Sequence, residues 1–306
     1  MACALGAYAI WGFVVAYFKA VGHVDARTIL AHRALWSLPL VAVLIVATGG
    51  LPRLKRLFAN RRLLRILPVT AVLLLCNWGG FVYCTVTGRV LQASLAYYIT
   101  PLAMAGLGIV VLGERLRMLQ WAGIAIASIG VVVLAIEGRA VPWLALLVAG
   151  TWSTYSLLRK THDVPAIEGL SVELALLWPL AIGWLLFAGP LPTTSPNSGT
   201  IDLLLLAASG VLTAAPLLLF GVAATRVHLT TLGFLSYLGP TIQLLLGVLA
   251  YNEPFGRVRF AAFGLIWIAL GVYSVDAWRH AQKRKVAASL RDAERAPQPG
   301  FALSTK

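Results

Sequence analysis

The sequence predicts an all-α polytopic membrane protein, with ten transmembrane helices arranged as two inverted five-helix repeats. Three observations carry that expectation. Of the 306 residues, 59% are apolar and 12% charged, about half the charged share of a soluble domain. Apolar runs of about 18 to 25 residues recur along the chain, the length that a bilayer core of about 30 Å asks of a helix. The second half also repeats features of the first at a nearly constant spacing.

In chain order, the first span covers about 2–20. No basic residue precedes it and no small-residue cleavage site follows it, so it does not read as a removable signal peptide. Its abrupt apolar start is what a chain lacking a few native residues would show. Trp11 lies near its middle, too deep for an interfacial aromatic belt. The second span, about 28–48, opens with "ILAHRALW", which sets His32 beside Arg33 in an otherwise apolar run. About 20 residues counted back from Gly49 draw Arg33 into the membrane, some 5 Å inside its boundary at about 1.5 Å per residue. A charge there costs less than the roughly 2.5 to 3.5 kcal/mol of the bilayer centre. Two readings are open: Arg33 snorkels to the interface, or it faces the interior and attracts an anionic group.

The loop "RLKRLFANRRLLR" follows with six basic residues, Arg53, Lys55, Arg56, Arg61, Arg62 and Arg65. The third span, about 66–87, carries Asn77 and Trp78 near its centre. Asn77 can hydrogen-bond a neighbouring helix or contact a substrate. Cys76 and Cys84 share this span, about 12 Å apart along the axis, so they cannot bridge. With Cys3 they read as small packing residues. The fourth span, about 91–112, is broken near its middle by Thr100–Pro101, and the fifth runs over about 118–136.

The second half holds spans at about 141–158, 169–188, 201–225, 230–250 and 258–277. Trp152 lies in the sixth and Glu173 in the seventh. The ninth is broken near its middle by Gly239–Pro240. Residues 279–306 form a basic tail expected to lack structure.

The repeat is visible residue by residue. Tyr98, Pro101, Gly108 and Glu114 match Tyr237, Pro240, Gly247 and Glu253, all at an offset of 139. Trp11 matches Trp152 and Lys19 matches Lys160 at 141, and Pro39 matches Pro179 at 140. Arg33 falls opposite Glu173 at 140. Because each half holds an odd number of spans, the second enters the membrane from the other side, as in inverted-repeat transporters. The halves are residues 1–138 and 139–278. Inversion should hold Arg33 and Glu173 near opposite faces, apart from each other. Glu114 and Glu253 end corresponding helices and read as helix-terminus or tight-turn residues.

Charge placement gives the orientation. With both termini cytoplasmic, inner segments carry 18 Lys or Arg and outer loops six, which follows the positive-inside rule. The longest outer loop, around 189–200, has no Lys or Arg. A formal charge of +14 therefore marks topology, and no nucleic-acid partner is expected. No Cys/His cluster has zinc spacing, and no phosphate-cradling G-x-x-x-x-G-K-[ST] loop occurs, so neither metal nor cofactor is expected.

Proline removes a helix hydrogen bond, and paired interruptions in corresponding spans point to a midplane binding site. A packing kink is the plainer alternative. Tyr97, Tyr98 and Thr100 lie near one break, Tyr237 and Gln243 near the other.

Beyond these residue readings, the chain resembles the RarD-type proteins of the EamA group in the drug/metabolite transporter superfamily, over about 5–278. The resemblance rests on "AYAIWGFVVAYFKAVGHVDARTILAHRALWS", "NWGGFVYCTVTGRVLQASLAYYITPLAMAGLGIVVLGERL", "GLSVELALLWPLA" and "TLGFLSYLGPTIQLLLGVLAYNEPF". It implies a bacterial inner-membrane permease with two EamA-like halves, in a group linked by name to chloramphenicol sensitivity. Its signatures single out His32 and Arg33, Asn77 and Trp78, Tyr98 and Pro101, Glu173, and Tyr237, Pro240 and Gln243. The expected function is a secondary transporter for a small organic solute, metabolite or drug. Proton coupling through Glu173 or His32 is open, as is a homodimer. The rival is a membrane-embedded enzyme or flippase for lipid-linked substrates, for which no catalytic cluster is evident.

Overall fold

The computed structural model describes residues 1–86, 90–137, 143–187, 198–250 and 256–295. Glu253, Arg89, Arg139, most of the loop around 189–200 and the boundary between the halves at 138–139 lie outside them. Among the described residues the chain is helical throughout, with no strand.

The first half supplies α1 (Ala2–Ala20), α2 (Ala26–Ala47), α3 (Leu51–Ala59), α4 (Arg61–Val86), α5 (Val90–Val110) and α6 (Met118–Glu137). The second supplies α7 (Trp143–Thr161), α8 (Ala166–Phe187), α9 (Ser198–Ala224), α10 (Leu229–Ser236), α11 (Leu238–Leu245) and α12 (Arg257–Arg295). A π-helical turn, Leu246–Ala250, extends α11. The ten expected spans are α1, α2, α4 to α9, α10–α11 together, and α12.

Among the described residues, seven helical stretches are long and apolar enough to cross a membrane, and Leu95–Val110 within α5 and Phe260–Asp276 within α12 are shorter apolar stretches. The remaining span, α7, is the more polar one, with Thr151, Ser153, Thr154 and Ser156 along it. Its position explains this, because it packs against α4, α5, α9 and α10. Hydroxyls there bond back to the helix's own carbonyls, as Ser153 Oγ does to Ala149 O at 2.7 Å and Ser156 Oγ to Trp152 O at 2.8 Å.

The packing obeys the repeat. Exchanging the halves turns the α2–α9 interface into α8–α4, and α4–α7 into α9–α1, while α2–α8, α5–α10 and α6–α12 map onto themselves. The principal interfaces nearly all join one half to the other, so the halves interdigitate instead of forming separate lobes. Small residues permit the closest approaches. A Cβ on Gly233 would stand 2.7 Å from the Pro101 carbonyl, and one on Gly210 would stand 2.7 Å from the Trp36 backbone.

Within the basic loop, Leu51–Ala59 forms a short helix with Pro52 in its first turn, where a missing N–H costs nothing. Two sequence expectations change. The paired interruption is asymmetric. The ninth span divides at Tyr237 and then adopts its π-helical turn, whereas Pro101 sits inside an uninterrupted α5. The start of the basic tail is helical, since α12 continues to Arg295. "AQKRKVAASLRDAER" is rich in strong helix formers and meets no proline before Pro297.

Caps fix the helix ends. Asp25 accepts from the amides of Arg27 and Thr28 at the start of α2. Asn60 does the same for Arg62 and Leu63 in α4. α3 with Arg53, Lys55, Arg56, Arg61 and Arg62 makes one end of the bundle strongly basic, the basic end.

Candidate functional site

Three polar and aromatic layers stack along the bundle. The middle one is aromatic. Trp11 of α1 and Trp152 of α7 meet edge to face, ring centroids 5.2 Å apart. Phe220 of α9 contacts both, and Tyr155 stacks on Trp152 at 5.3 Å. Tyr8 joins through Trp11 and Phe220. Tyr155 and Phe220 are wholly buried, Tyr8 is 4% exposed and Trp152 8%. The matched tryptophans thus lie at the centre of the repeat symmetry and touch.

On the side away from the basic end lies Arg33. Its Nε donates to Thr213 Oγ1 of α9 at 2.8 Å. The guanidinium carbon sits 5.0 Å from the Trp78 ring of α4 and 5.8 Å from the Phe18 ring of α1. Such contacts contribute about 0.5–1 kcal/mol when exposed and about 2 when desolvated. Tyr17 and Tyr97 lie within electrostatic range. Partners on three helices place the side chain inside the bundle, so it does not snorkel outward past lipid. Gln243 Nε2 donates to the Trp11 carbonyl at 3.1 Å, and the Tyr97 side chain lies near it. Arg33, Tyr97, Trp11 and Gln243 are all only partly buried.

On the basic side lies a closed network. Glu173 of α8 accepts from Thr70 Oγ1 of α4 at 2.6 Å and from the Tyr155 hydroxyl of α7 at 3.1 Å. Arg159 Nη2 stands 3.7 Å from Glu173 Oε2, and both side chains are 0% exposed. Arg159 Nε also donates to the Tyr155 hydroxyl. As expected, Arg33 and Glu173 do not pair with each other. They are nevertheless related, since each bonds a threonine on the third span of the opposite half.

Other sequence candidates serve other contacts. His32 Nδ1 accepts from Trp36 Nε1 at 3.2 Å; an indole only donates, so that ring nitrogen carries no proton. His32 shares none of Arg33's partners. Asn77 Nδ2 donates to the Val148 carbonyl at 2.8 Å, joining α4 to α7. Tyr98 packs on Phe263, centroids 5.1 Å apart, and its carbonyl accepts from the Tyr237 hydroxyl at 3.3 Å. The tyrosine of "YY" that faces Arg33 is therefore Tyr97. The match of Tyr98 to Tyr237 in the repeat corresponds to packing between the halves. Pro101 packs its carbonyl on Gly233, and Pro240 lies buried in the first turn of α11. Tyr17, Phe18, Thr213, Thr70, Tyr155 and Arg159 carry no sequence signal beyond being polar or aromatic within apolar runs.

Polar ties close the basic end. Arg53 Nε donates to Glu168 at 2.7 Å, Arg117 pairs with Asp276, and Lys160 Nζ donates to the Val227 carbonyl at 2.6 Å. Glu114 caps α10 through the amides of Leu229 at 2.7 Å and Thr230 at 3.0 Å and the Thr230 hydroxyl at 2.7 Å. Burial would raise the Glu114 pKa, but these donors and nearby His228 hold it below the usual carboxylate range. The helix-terminus reading of Glu114 thus has its geometry. Among the described residues no three His, Cys, Asp or Glu side chains group as a metal site.

A ten-span, two-repeat bundle with polar groups gathered on both sides of an aromatic centre is the architecture of a multi-pass membrane transporter. The comparisons agree. The description "EamA-like transporter family" matches residues 1–136. An uncharacterized transporter of Pseudomonas aeruginosa is 41% identical over 97% of this chain and 96% of its own. Protein RarD of Escherichia coli K12 is 39% identical over 90% of this chain and 93% of its own. Protein RarD of Streptomyces exfoliatus is 38% identical over 92% and 89%. A solved crystal structure shares the fold with a TM-score of 0.69, at 22% identity, over 89% of this chain and 96% of the other. The chain belongs to the EamA-like transporter family and is a RarD-type member of it.

Proposed function

We propose that this chain is a bacterial inner-membrane permease that exports a small organic solute by alternating access, with both termini cytoplasmic. The observation that carries the reading is the contrast across the Trp11–Trp152 layer. On one side Arg33, Tyr97 and Gln243 remain partly accessible. On the other, Glu173, Arg159 and Tyr155 are sealed and the basic end is cross-tied. That is the arrangement expected of a transporter closed at one face and open toward the other, with the cargo meeting the bundle at the aromatic layer. Basic residues gathered at the closed end support placing it in the cytoplasm. An ion gradient or the solute's own gradient supplies the driving force.

Purified protein in sealed vesicles tests this. Solute should cross with its chemical structure unchanged, and Trp11→Ala or Trp152→Ala should abolish directional movement at equal protein content. Chemical conversion of the solute, or movement no faster than in protein-free vesicles across a broad metabolite panel, would overturn it.

A further inference from the structure

We propose that Arg33 binds the oxyanion head of an organic substrate, whose apolar body lies against Trp78 and Phe18; this rests on the transporter reading above. Arg33 lies about two turns into α2, on the side of the aromatic layer that stays partly open. Its contacts come from α9, α4 and α1, so the charge faces the interior.

Other arginines at the helix interfaces meet carboxylates: Arg159 meets Glu173, Arg53 meets Glu168, and Arg117 meets Asp276. Among the described residues Arg33 meets none. Its neighbours are the neutral hydroxyls of Thr213, Tyr17 and Tyr97. Thr213 occupies Nε alone, so the two terminal nitrogens keep their donors. A full charge held inside the bundle among hydroxyls and aromatic faces lacks a counterion among the described residues.

The free edge is a planar fork that fits a carboxylate or phosphate. The flanking indole and phenyl rings fit a flat apolar body, and the Tyr97 hydroxyl supplies a polar group beside it. The substrate class is therefore an organic anion with an apolar or aromatic body.

The test uses wild type, Arg33→Lys and Arg33→Gln, all purified to the same monodispersity and placed in lipid nanodiscs. Each is titrated with phenylacetate, phenyl phosphate and the uncharged phenylacetamide, following thermal midpoint and tryptophan fluorescence, to which Trp78 contributes. At least one anion should raise the wild-type midpoint saturably, while the amide should not. Arg33→Gln should weaken that anion by about tenfold or more, the scale of one charge-assisted contact. Arg33→Lys should fall between, because it keeps the charge and loses the fork. Response to phenyl phosphate alone assigns a phosphate head, and response to phenylacetate alone a carboxylate.

Three results would overturn the anion site: no response of wild type to either anion, equal response to the amide, or wild-type binding by Arg33→Gln. Anion binding without vesicle transport would leave the site standing and remove the transporter reading. Transport indifferent to Arg33→Gln would do the reverse.

Discussion

Arg159 of α7 and Glu173 of α8 face each other at 3.7 Å with neither side chain reaching solvent. Thr70 and the Tyr155 hydroxyl take the remaining contacts of the carboxylate. Removing one member of such a pair leaves an uncompensated buried charge, at about 3–5 kcal/mol, whereas replacing both by apolar groups is often neutral. Glu173→Leu and Arg159→Met should each sharply lower the thermal midpoint in detergent. The double variant should recover most of that loss. If the double is as unstable as the worse single, the two charges do not act as a pair.

Glu114 gives a prediction in pH. Its folded pKa lies below the unfolded value, so its contribution is present above the unfolded carboxylate range and disappears as pH falls through the folded pKa. Thermal midpoints should drop between about pH 5 and pH 3. Glu114→Gln should remove that part of the drop and cost about 1 kcal/mol at neutral pH, as loss of a helix cap does. Identical acid profiles for the two proteins would exclude a role for this carboxylate.

Interdigitation of the halves predicts that neither folds alone. The interfaces α2–α9, α4–α7 and α6–α12 each join the two repeats, so a piece ending at residue 138 exposes faces built for helices it lacks. Expressed alone, 1–138 should aggregate or be degraded. Expressed with 139–306, it should assemble into a co-purifying complex. A monodisperse, helical 1–138 would show that each repeat is a self-standing unit.

Much of this was legible because a repeated sequence reports its own symmetry. Trp11 and Trp152 could be paired from an offset, and they touch. Charge density marked the basic end. What stayed hidden depends on rotation about a helix axis. Arg159 counts as a cytoplasmic charge when the sixth span ends at 158, yet α7 runs to Thr161 and turns that side chain inward. Tyr97 and Tyr98 differ by one position and about 100° of helix, which separates the residue beside Arg33 from the one packed on Phe263. The proline pair was legible as a pair, but not the unequal response of the two helices to it.

The topology follows from the same charges. Cysteines introduced at Ser195 and Ser289 report the two faces. Impermeant reagent on intact cells should label Ser195→Cys and spare Ser289→Cys until the cells are opened. Labelling of Ser289→Cys but not Ser195→Cys in intact cells would reverse the bundle and put the Arg33 side in the cytoplasm.

The proline difference yields the last prediction. Pro101 sits in mid-helix, so it denies a partner to the carbonyl four residues earlier, which belongs to Tyr97. Tyr97 lies beside Arg33 and near Gln243. Pro240 sits in the first turn of α11, where no helical hydrogen bond is lost, and it separates that helix from α10. Pro101→Ala should therefore restore a hydrogen bond, leave folded abundance unchanged or higher, and shift Tyr97 relative to Arg33. Transport should fall more than abundance does. Pro240→Ala permits α10 and α11 to merge through Tyr237, which moves Gln243 and the Trp11 contact together. Its loss of transport should come with a change in tryptophan fluorescence. Normal transport by both variants at equal membrane content would show that the prolines shape packing alone.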